Sequence, residues 1–463
     1  MTTTDQRKRQ VILAAHFPGV NNTTVWSDPD SGSQIDFDSF VHLARTAERG
    51  KLDFFFLAEG LRLREQRGRI HDLDVVGRPH TLSVLAALAA VTEHLGLAGT
   101  INATFNEPYE LARQLASLDH LSGGRAAWNV VTSSDAFTGE NFRRGGYLDH
   151  ALRYERAGEF IQTARELWDS WAPGTVVADR ATGTYVTDPR AGEFEHHGPQ
   201  FDIAGRSTVP RSPQGHPVIL QAGDSVEGRE LAASTADAIF SRHSAFDPAR
   251  AFYTDVKDRL ATYGRDRDEL KILPAVTYAL GETEEEAQAN AAAVRRQQVS
   301  PQTAILLLEQ LWNRDLSAYD ADGPLPEVDP DVSADSIIRG RAPMYKEPLK
   351  TAKEWRELAD AHGYSIRDLV IHVTGRQSFI GTPAQVAEQI DTYVQAEAAD
   401  GFILVPHITP AGLDPFVDSV VPLLQERGVF RTDYEGATLR ENLGLPPARP
   451  ASSTARARRA VSA

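Results

Sequence analysis

Leu95-Gly-Leu-Ala-Gly-Thr-Ile101, Pro108-Tyr-Glu-Leu-Ala-Arg-Gln-Leu-Ala-Ser-Leu-Asp-His-Leu121 and Ala126-Ala-Trp-Asn-Val-Val131 follow one another with only short gaps. The outer two are short apolar runs with almost no polar interruption, the composition of strands buried on both faces. The middle one places Leu111, Ala112, Leu115 and Leu118 on one helical face, behind a proline suited to a first helical turn. Strand, helix and strand in this order make a parallel βαβ unit. The same alternation runs outward in both directions. Before it come Val11-Ile-Leu-Ala-Ala15, a helix over 37–49 stopped by Gly50, Leu52-Asp-Phe-Phe-Phe-Leu57, and an alanine–leucine helix over 81–94. After it come a helix over 151–168, strands at 217–221, 238–241, 271–279 and 401–405, and helices over 227–236, 248–263, 383–396 and 413–427. A further helix starts near Thr283, where Glu286 has the spacing of a capping box.

Eight strands, each followed by a helix, predict an α/β protein closed into a (β/α)8 barrel. The alternative is an open doubly wound sheet. That fold wants a glycine-rich turn after its first strand, and His16-Phe-Pro-Gly19 does not supply one. Length alone suggests about three domains, but the pattern fits a single barrel over 1–445 with insertions at about 172–210 and 282–380. The first insertion is rich in Gly, Pro and Asp. The end, 446–463, is Pro/Ala/Ser/Arg-rich and is expected to be a disordered tail.

The chain has 463 residues, 64 acidic and 48 basic, for a formal charge of −16. Such an acidic balance argues against a nucleic-acid binder. No cysteine is present, which excludes disulfides, zinc-thiolate sites, iron–sulfur clusters and a thiol nucleophile. A polar N-terminus and the lack of any long apolar run predict a cytoplasmic protein without a membrane span.

Barrel enzymes build their sites from loops at the C-terminal ends of the strands. Those positions hold His16, Glu59-Gly60, Thr104, Thr132-Ser133-Ser134, Gly223-Asp224-Ser225, Arg242-His243, Tyr278 and Pro406-His407. The set is polar without being a cluster of metal ligands, so no metal is expected. His196-His197 falls in the insertion, and Asp119-His120 reads as packing rather than catalysis. No G-x-S-x-G nucleophile elbow exists. Two features suit an anion. Gly223-Asp-Ser225 leads into a helix, whose N-terminal amides and serine could hold a phosphate or simply cap the helix. His150 and Tyr154, four apart, share a helical face and either meet one ligand or pack inward. Arg62, Arg64, Arg67, Arg69 and Arg78 crowd one loop, as a solvated basic segment or as a lid drawing in an anionic substrate.

Several motifs together carry a family resemblance. They are Ala47-Glu-Arg-Gly-Lys-Leu-Asp-Phe54, Phe56-Leu-Ala-Glu-Gly60, Val91-Thr-Glu-His-Leu-Gly-Leu97, Asn106-Glu-Pro-Tyr109 and Ser117-Leu-Asp-His-Leu-Ser-Gly-Gly-Arg125. Trp128-Asn-Val-Val-Thr-Ser133, Val209-Pro-Arg-Ser-Pro-Gln-Gly-His-Pro-Val-Ile-Leu-Gln-Ala-Gly223, Ala399-Asp-Gly-Phe402 and Val420-Val-Pro-Leu-Leu-Gln-Glu-Arg-Gly-Val-Phe-Arg-Thr-Asp-Tyr434 continue the series. With them the chain resembles the luciferase-like, two-component FMN-dependent monooxygenases, in the group of nitrilotriacetate, dibenzothiophene sulfone and long-chain alkane monooxygenases. The resemblance implies reduced FMN from a separate NAD(P)H:flavin reductase. It also implies O2 and a small organic substrate, oxygenated through a peroxyflavin, and a homo-oligomer. It puts flavin contacts on Glu59, Thr104, His150, Tyr154 and Ser225. Glu59 stands where such proteins usually have Asp, and Asn22 where a histidine is common. A deazaflavin-dependent oxidoreductase of the same fold and a non-catalytic flavin-binding subunit are the competing classes.

Overall fold

The computed structural model describes residues 8–21, 23–72, 77–133, 136–142, 152–339, 345–375 and 377–448. Eight parallel strands close into a barrel. They are β1 (Ile12–His16), β2 (Phe54–Leu57), β3 (Gly96–Asn102), β4 (Ala126–Val131), β5 (Val218–Gln221), β6 (Ala238–Ser241), β7 (Lys271–Val276) and β8 (Gly401–Leu404). Most of their residues are buried, so the continuous apolar stretches of the sequence are strands covered on both faces. Closure is made by β1 on β8, Ile12 opposite Gly401. A Cβ on Gly401 would fall 1.9 Å from the Ile12 carbonyl oxygen, so the seam requires glycine there.

The helices that wrap the barrel are α1 (Phe37–Arg49), α2 (Thr81–Ala89), α3 (Pro108–Leu121), α4 (Arg153–Asp169), α5 (Val226–Thr235) and α6 (Phe246–Arg259). Between β7 and β8 run α7 (Glu284–Gln298), α8 (Pro301–Trp312), α9 (Pro348–His362), α10 (Ile366–Thr374) and α11 (Pro383–Gln395), and α12 (Asp414–Glu426) follows β8. Alternate strand residues fill the barrel: Ile12, Ala14, Phe54, Phe56, Ala98, Ala127, Val218, Leu220 and Ile403 form one interior cluster. The other faces pack on the helices in two larger clusters, one around Leu43, Leu85 and Phe416, the other around Leu115, Phe160 and Ile239. Residues 172–210 fold as two antiparallel hairpins, Val176–Asp179 with Thr184–Val186 and Glu193–His197 with Asp202–Arg206.

At the opposite end from the strands' C-termini, aspartates repeat with the barrel. Asp53, Asp237 and Asp400 stand immediately before β2, β6 and β8. Each accepts the backbone N–H of the second residue of the preceding strand: Leu13 at 2.9 Å, Ile219 at 2.9 Å and Ile272 at 2.8 Å. Asp119, within α3, instead accepts the N–H of Ala126, the first residue of the following strand β4, at 3.1 Å, and Gln214 donates to it at 2.6 Å, so Asp119 packs as its sequence context predicts. The three carboxylates before β2, β6 and β8 have cations: Arg431 on Asp53, Arg440 on Asp237, Lys257 and Arg9 on Asp400. Arg431 and Arg440 come from the segment after α12, which thereby plugs the bottom of the barrel.

Three local expectations change. The helix predicted over 81–94 ends at Ala89. Glu48 Oε1 of α1 accepts the N–H groups of Glu93, His94 and Leu95 at 2.6–2.9 Å, and Arg125 takes the Ala89, Thr92 and Leu95 carbonyls. The strand predicted over 271–279 is two: after β7, Tyr278–Leu280 leaves the barrel to pair with Phe379–Gly381. The capping box at Thr283 is half made. Thr283 accepts from Glu286 N–H at 3.2 Å, but the Glu286 carboxylate accepts from Glu282 N–H instead of returning to Thr283. Among the described residues no helix is long and apolar enough to cross a membrane. The tail from 449 onward lies outside the described residues.

Candidate active site

Parallel strands bring every strand-to-helix loop to one mouth. After β2, Glu59 lines a cleft of about 220 Å³ with Ala58, Arg62, Arg64, Arg78, Asn102 and Ser133. Its Oε1 accepts the Thr81 N–H at 3.3 Å, at the start of α2. After β3, Thr104 is buried, and its N–H donates to Asn102 Oδ1 at 2.6 Å. The same oxygen accepts Phe105 N–H at 3.1 Å, an Asx-type turn that the Asn102/Thr104 spacing could have signalled. With Oδ1 so engaged, the buried Asn102 Nδ2 has no hydrogen-bond partner. On β4, Asn129 donates to Thr100 Oγ1 at 2.8 Å and its Oδ1 is also without a partner.

His16 closes β1 and meets Phe56 edge to face at 5.3 Å, its Nε2 buried and unpartnered. Burial, reinforced by the Arg78 charge, pushes the imidazole down to about 3, so it is neutral at physiological pH. Arg78 donates to the Phe17 and Ala58 carbonyls, both at 2.6 Å, and thus ties the loops after β1 and β2 together. Burial lowers its guanidinium to about 10, against the pull of Glu59.

Across the mouth, Ser225 caps α5: its Oγ accepts Gly228 N–H at 3.2 Å and donates to Tyr154 Oη at 3.3 Å. Of the two readings left open by the sequence, the helix cap is present, and the same hydroxyl meets that of Tyr154. The turn is tight because Gly223 and Gly228 touch; a Cβ on Gly228 would fall 2.8 Å from the Gly223 Cα. Beside it, Asp224 bonds His243 at 2.8 Å and Arg242 at 2.8 and 2.9 Å. Burial alone would raise its carboxyl, but the bonds from His243 and Arg242 outweigh that and hold it at about 2. The structure therefore joins Tyr154 to Ser225 and Asn102 to Thr104 by hydrogen bonds, and sets Glu59 and Asn102 in the wall of one cleft. His150 and Asn22 lie outside the described residues.

The arginine-rich loop is anchored. Arg62 pairs with Glu140 at 2.7 Å and lies over the Phe137 ring at 3.4 Å. Arg67 pairs with Asp315 and with Glu309 of α8 at 3.1 Å, and Gln66 donates to Glu309 at 2.6 Å. Residues 65–66 also form an antiparallel ladder with 338–339. Sequence reading missed these partners because they lie far along the chain. His196 bonds Glu166 at 2.7 Å and Glu159 at 3.3 Å in the second hairpin, away from the mouth. Among the described residues no three His, Asp or Glu side chains gather as metal ligands.

The fold defines a barrel enzyme, and its mouth presents hydrogen-bonding groups and a capped helix N-terminus as the candidate site. The family model for luciferase-like monooxygenases matches residues 19–400, and the chain belongs to that family. It is an oxidoreductase, a monooxygenase, like its relatives. Nitrilotriacetate monooxygenase component A of Aminobacter aminovorans is 43% identical over 96% of this chain and 96% of its own. N-acetyl-S-(2-succino)cysteine monooxygenase of Bacillus subtilis is 40% identical over 95% and 97%. Among solved structures, riboflavin lyase RcaE with a modified FMN and riboflavin superposes with a TM-score of 0.76 at 28% identity, over 97% of this chain and 99% of that one.

Proposed function

We propose that the chain uses reduced FMN, delivered by a separate NAD(P)H:flavin reductase, and O2 to oxygenate a small organic molecule. The observation that carries this reading is the meeting of Tyr154 and Ser225 at the N-terminus of α5. Two hydroxyls and helix amides in one place suit a phosphate. The buried polar atoms without partners, Asn102 Nδ2, Asn129 Oδ1 and His16 Nε2, fit a polar ring system entering the barrel mouth. Glu59, Thr104, His150, Tyr154 and Ser225 are the residues that would hold the flavin. A solved relative carrying modified FMN and another named as one component of its enzyme support the cofactor and the separate partner.

The reduced flavin, when bound, supplies the activation of O2. The chain's own work is binding, orientation and exclusion of water. Arg78 fixes the floor between two loops, and neutral His16 with Phe56 and Phe240 makes the interior wall uncharged beside it. We place the substrate among small carboxylated compounds. Two relatives are named for carboxylated substrates, and Arg64 and Arg78 line the cleft. Anaerobic titration with photoreduced FMN followed by oxygen tests the reading. Saturable binding and O2-dependent oxygenation of such a compound are expected. Binding no tighter than to an unrelated barrel protein overturns it.

A further inference from the structure

We propose that Asn102 is a cofactor-contact residue, whose Nδ2 donates a hydrogen bond to the ring edge of the flavin; this rests on the flavin reading above. Its orientation is set by the fold. Oδ1 accepts Thr104 N–H at 2.6 Å and Phe105 N–H at 3.1 Å, which only an oxygen can do, so the amide cannot be turned over. Nδ2 is thereby left as a donor with no partner in a side chain only 2% exposed. A buried unsatisfied donor is costly, and such groups are rare without a purpose. Asn102 lines the same cleft as Glu59 and Arg78.

The chemistry of the ligand follows from this surrounding. The pyrimidine edge of a flavin offers carbonyl oxygens and a ring nitrogen as acceptors, and reduction places negative charge on that edge. A fixed amide donor in a cleft that Arg78 also lines suits it and favours the reduced over the oxidised form. An apolar substrate would leave Nδ2 unsatisfied. The residue thus has two tasks, one for each end of its amide: the oxygen shapes the turn that presents Thr104, and the nitrogen meets the cofactor.

The two ends can be separated. Asn102→Asp keeps an oxygen for both backbone N–H groups and replaces the donor by a negative oxygen; Asn102→Ala removes both. Melting temperature and dissociation constants for oxidised and photoreduced FMN are measured for the wild type and both variants at pH 8. For N102D we expect a melting temperature close to wild type and a dissociation constant for reduced FMN raised roughly tenfold or more, with a smaller change for oxidised FMN. Unchanged affinity for reduced FMN in a folded N102D overturns the proposal. If N102D does not fold, unchanged affinity in N102A does the same. A wild type that binds neither form overturns the flavin reading itself and this inference with it.

Discussion

At the scale of single residues, roles that share one atom are separable by choosing the substitution. Ser225 both caps α5 and meets Tyr154, whereas Tyr154 has no part in the cap. Ser225→Ala is expected to cost about 1 kcal/mol of stability as a lost N-cap and to weaken FMN binding as well. Tyr154→Phe should weaken binding alone, by roughly threefold to tenfold for one hydrogen bond. Thermal melts paired with FMN titrations check both; equal affinity in Y154F would remove the hydroxyl from the site. His16 makes a pH prediction. Its folded pKa of about 3 lies below the ordinary 6.5, so between those values the unfolded chain binds a proton that the fold refuses. Stability is then complete above about 6.5 and falls as pH drops through this window. Denaturant unfolding of His16→Asn at pH 7 and pH 4.5 should show a smaller loss than wild type. His216 and His407, also lowered by burial, keep a residual slope in both proteins. Equal slopes would mean that His16 is charged in the fold.

At the scale of elements, the strands were legible where they are continuous apolar runs: Ala126–Val131 and Ala238–Ser241 stand as their sequence predicts. So were helices with both a periodic face and a stop, such as Phe37–Arg49 with Gly50 and Pro108–Leu121. Illegible were the features that one element imposes on another. Glu48 ends the 81–94 helix from α1, and Phe379–Gly381 draws Tyr278–Leu280 out of the barrel strand from a distant stretch of chain. The candidate site divides in the same way. Ser225 was readable as a strand, a glycine turn and a helix start. The turn at Asn102 was readable in principle from the Asn102/Thr104 spacing, but its unpartnered Nδ2 was not, because only the hydrogen bonds at Oδ1 reveal which end of the amide is left over. The Asp237–Arg440 pair is another long-range feature, with bidentate bonds of 2.8 and 3.0 Å. Arg440→Ala strands a buried carboxylate and is expected to cost about 3–5 kcal/mol in chemical denaturation. FMN affinity should be unchanged, since the pair lies at the opposite end of the barrel from the mouth.

At the scale of the whole molecule, the loop over the cleft and the long excursion between β7 and β8 are one mechanical unit. Gln66 and Arg67 meet Glu309, which is fully buried, and the 65–66 ladder with 338–339 adds a second tie. Glu309→Gln should loosen the unit without touching the mouth. Limited proteolysis within 61–72 should accelerate by roughly tenfold, the equivalent of about 1.4 kcal/mol of local stability. An unchanged cleavage rate would show that the ladder alone holds the loop. A second cleft of about 240 Å³ lies along the same excursion, between the loop after β1 at Asn21–Ser27 and Gln297–Leu306.

The Glu309 tie also bears on how such an enzyme can be redesigned. A loop stapled to a helix more than two hundred positions away is not a portable part. Exchanging 61–72 alone with a relative would set foreign side chains against a Glu309 that no longer has its arginine, and would leave a buried charge stranded. Recombination that preserves folding has to bring both ends of the staple from one parent. In a lineage the two segments would then change hands together, and new substrate preferences would arise as paired rather than single exchanges.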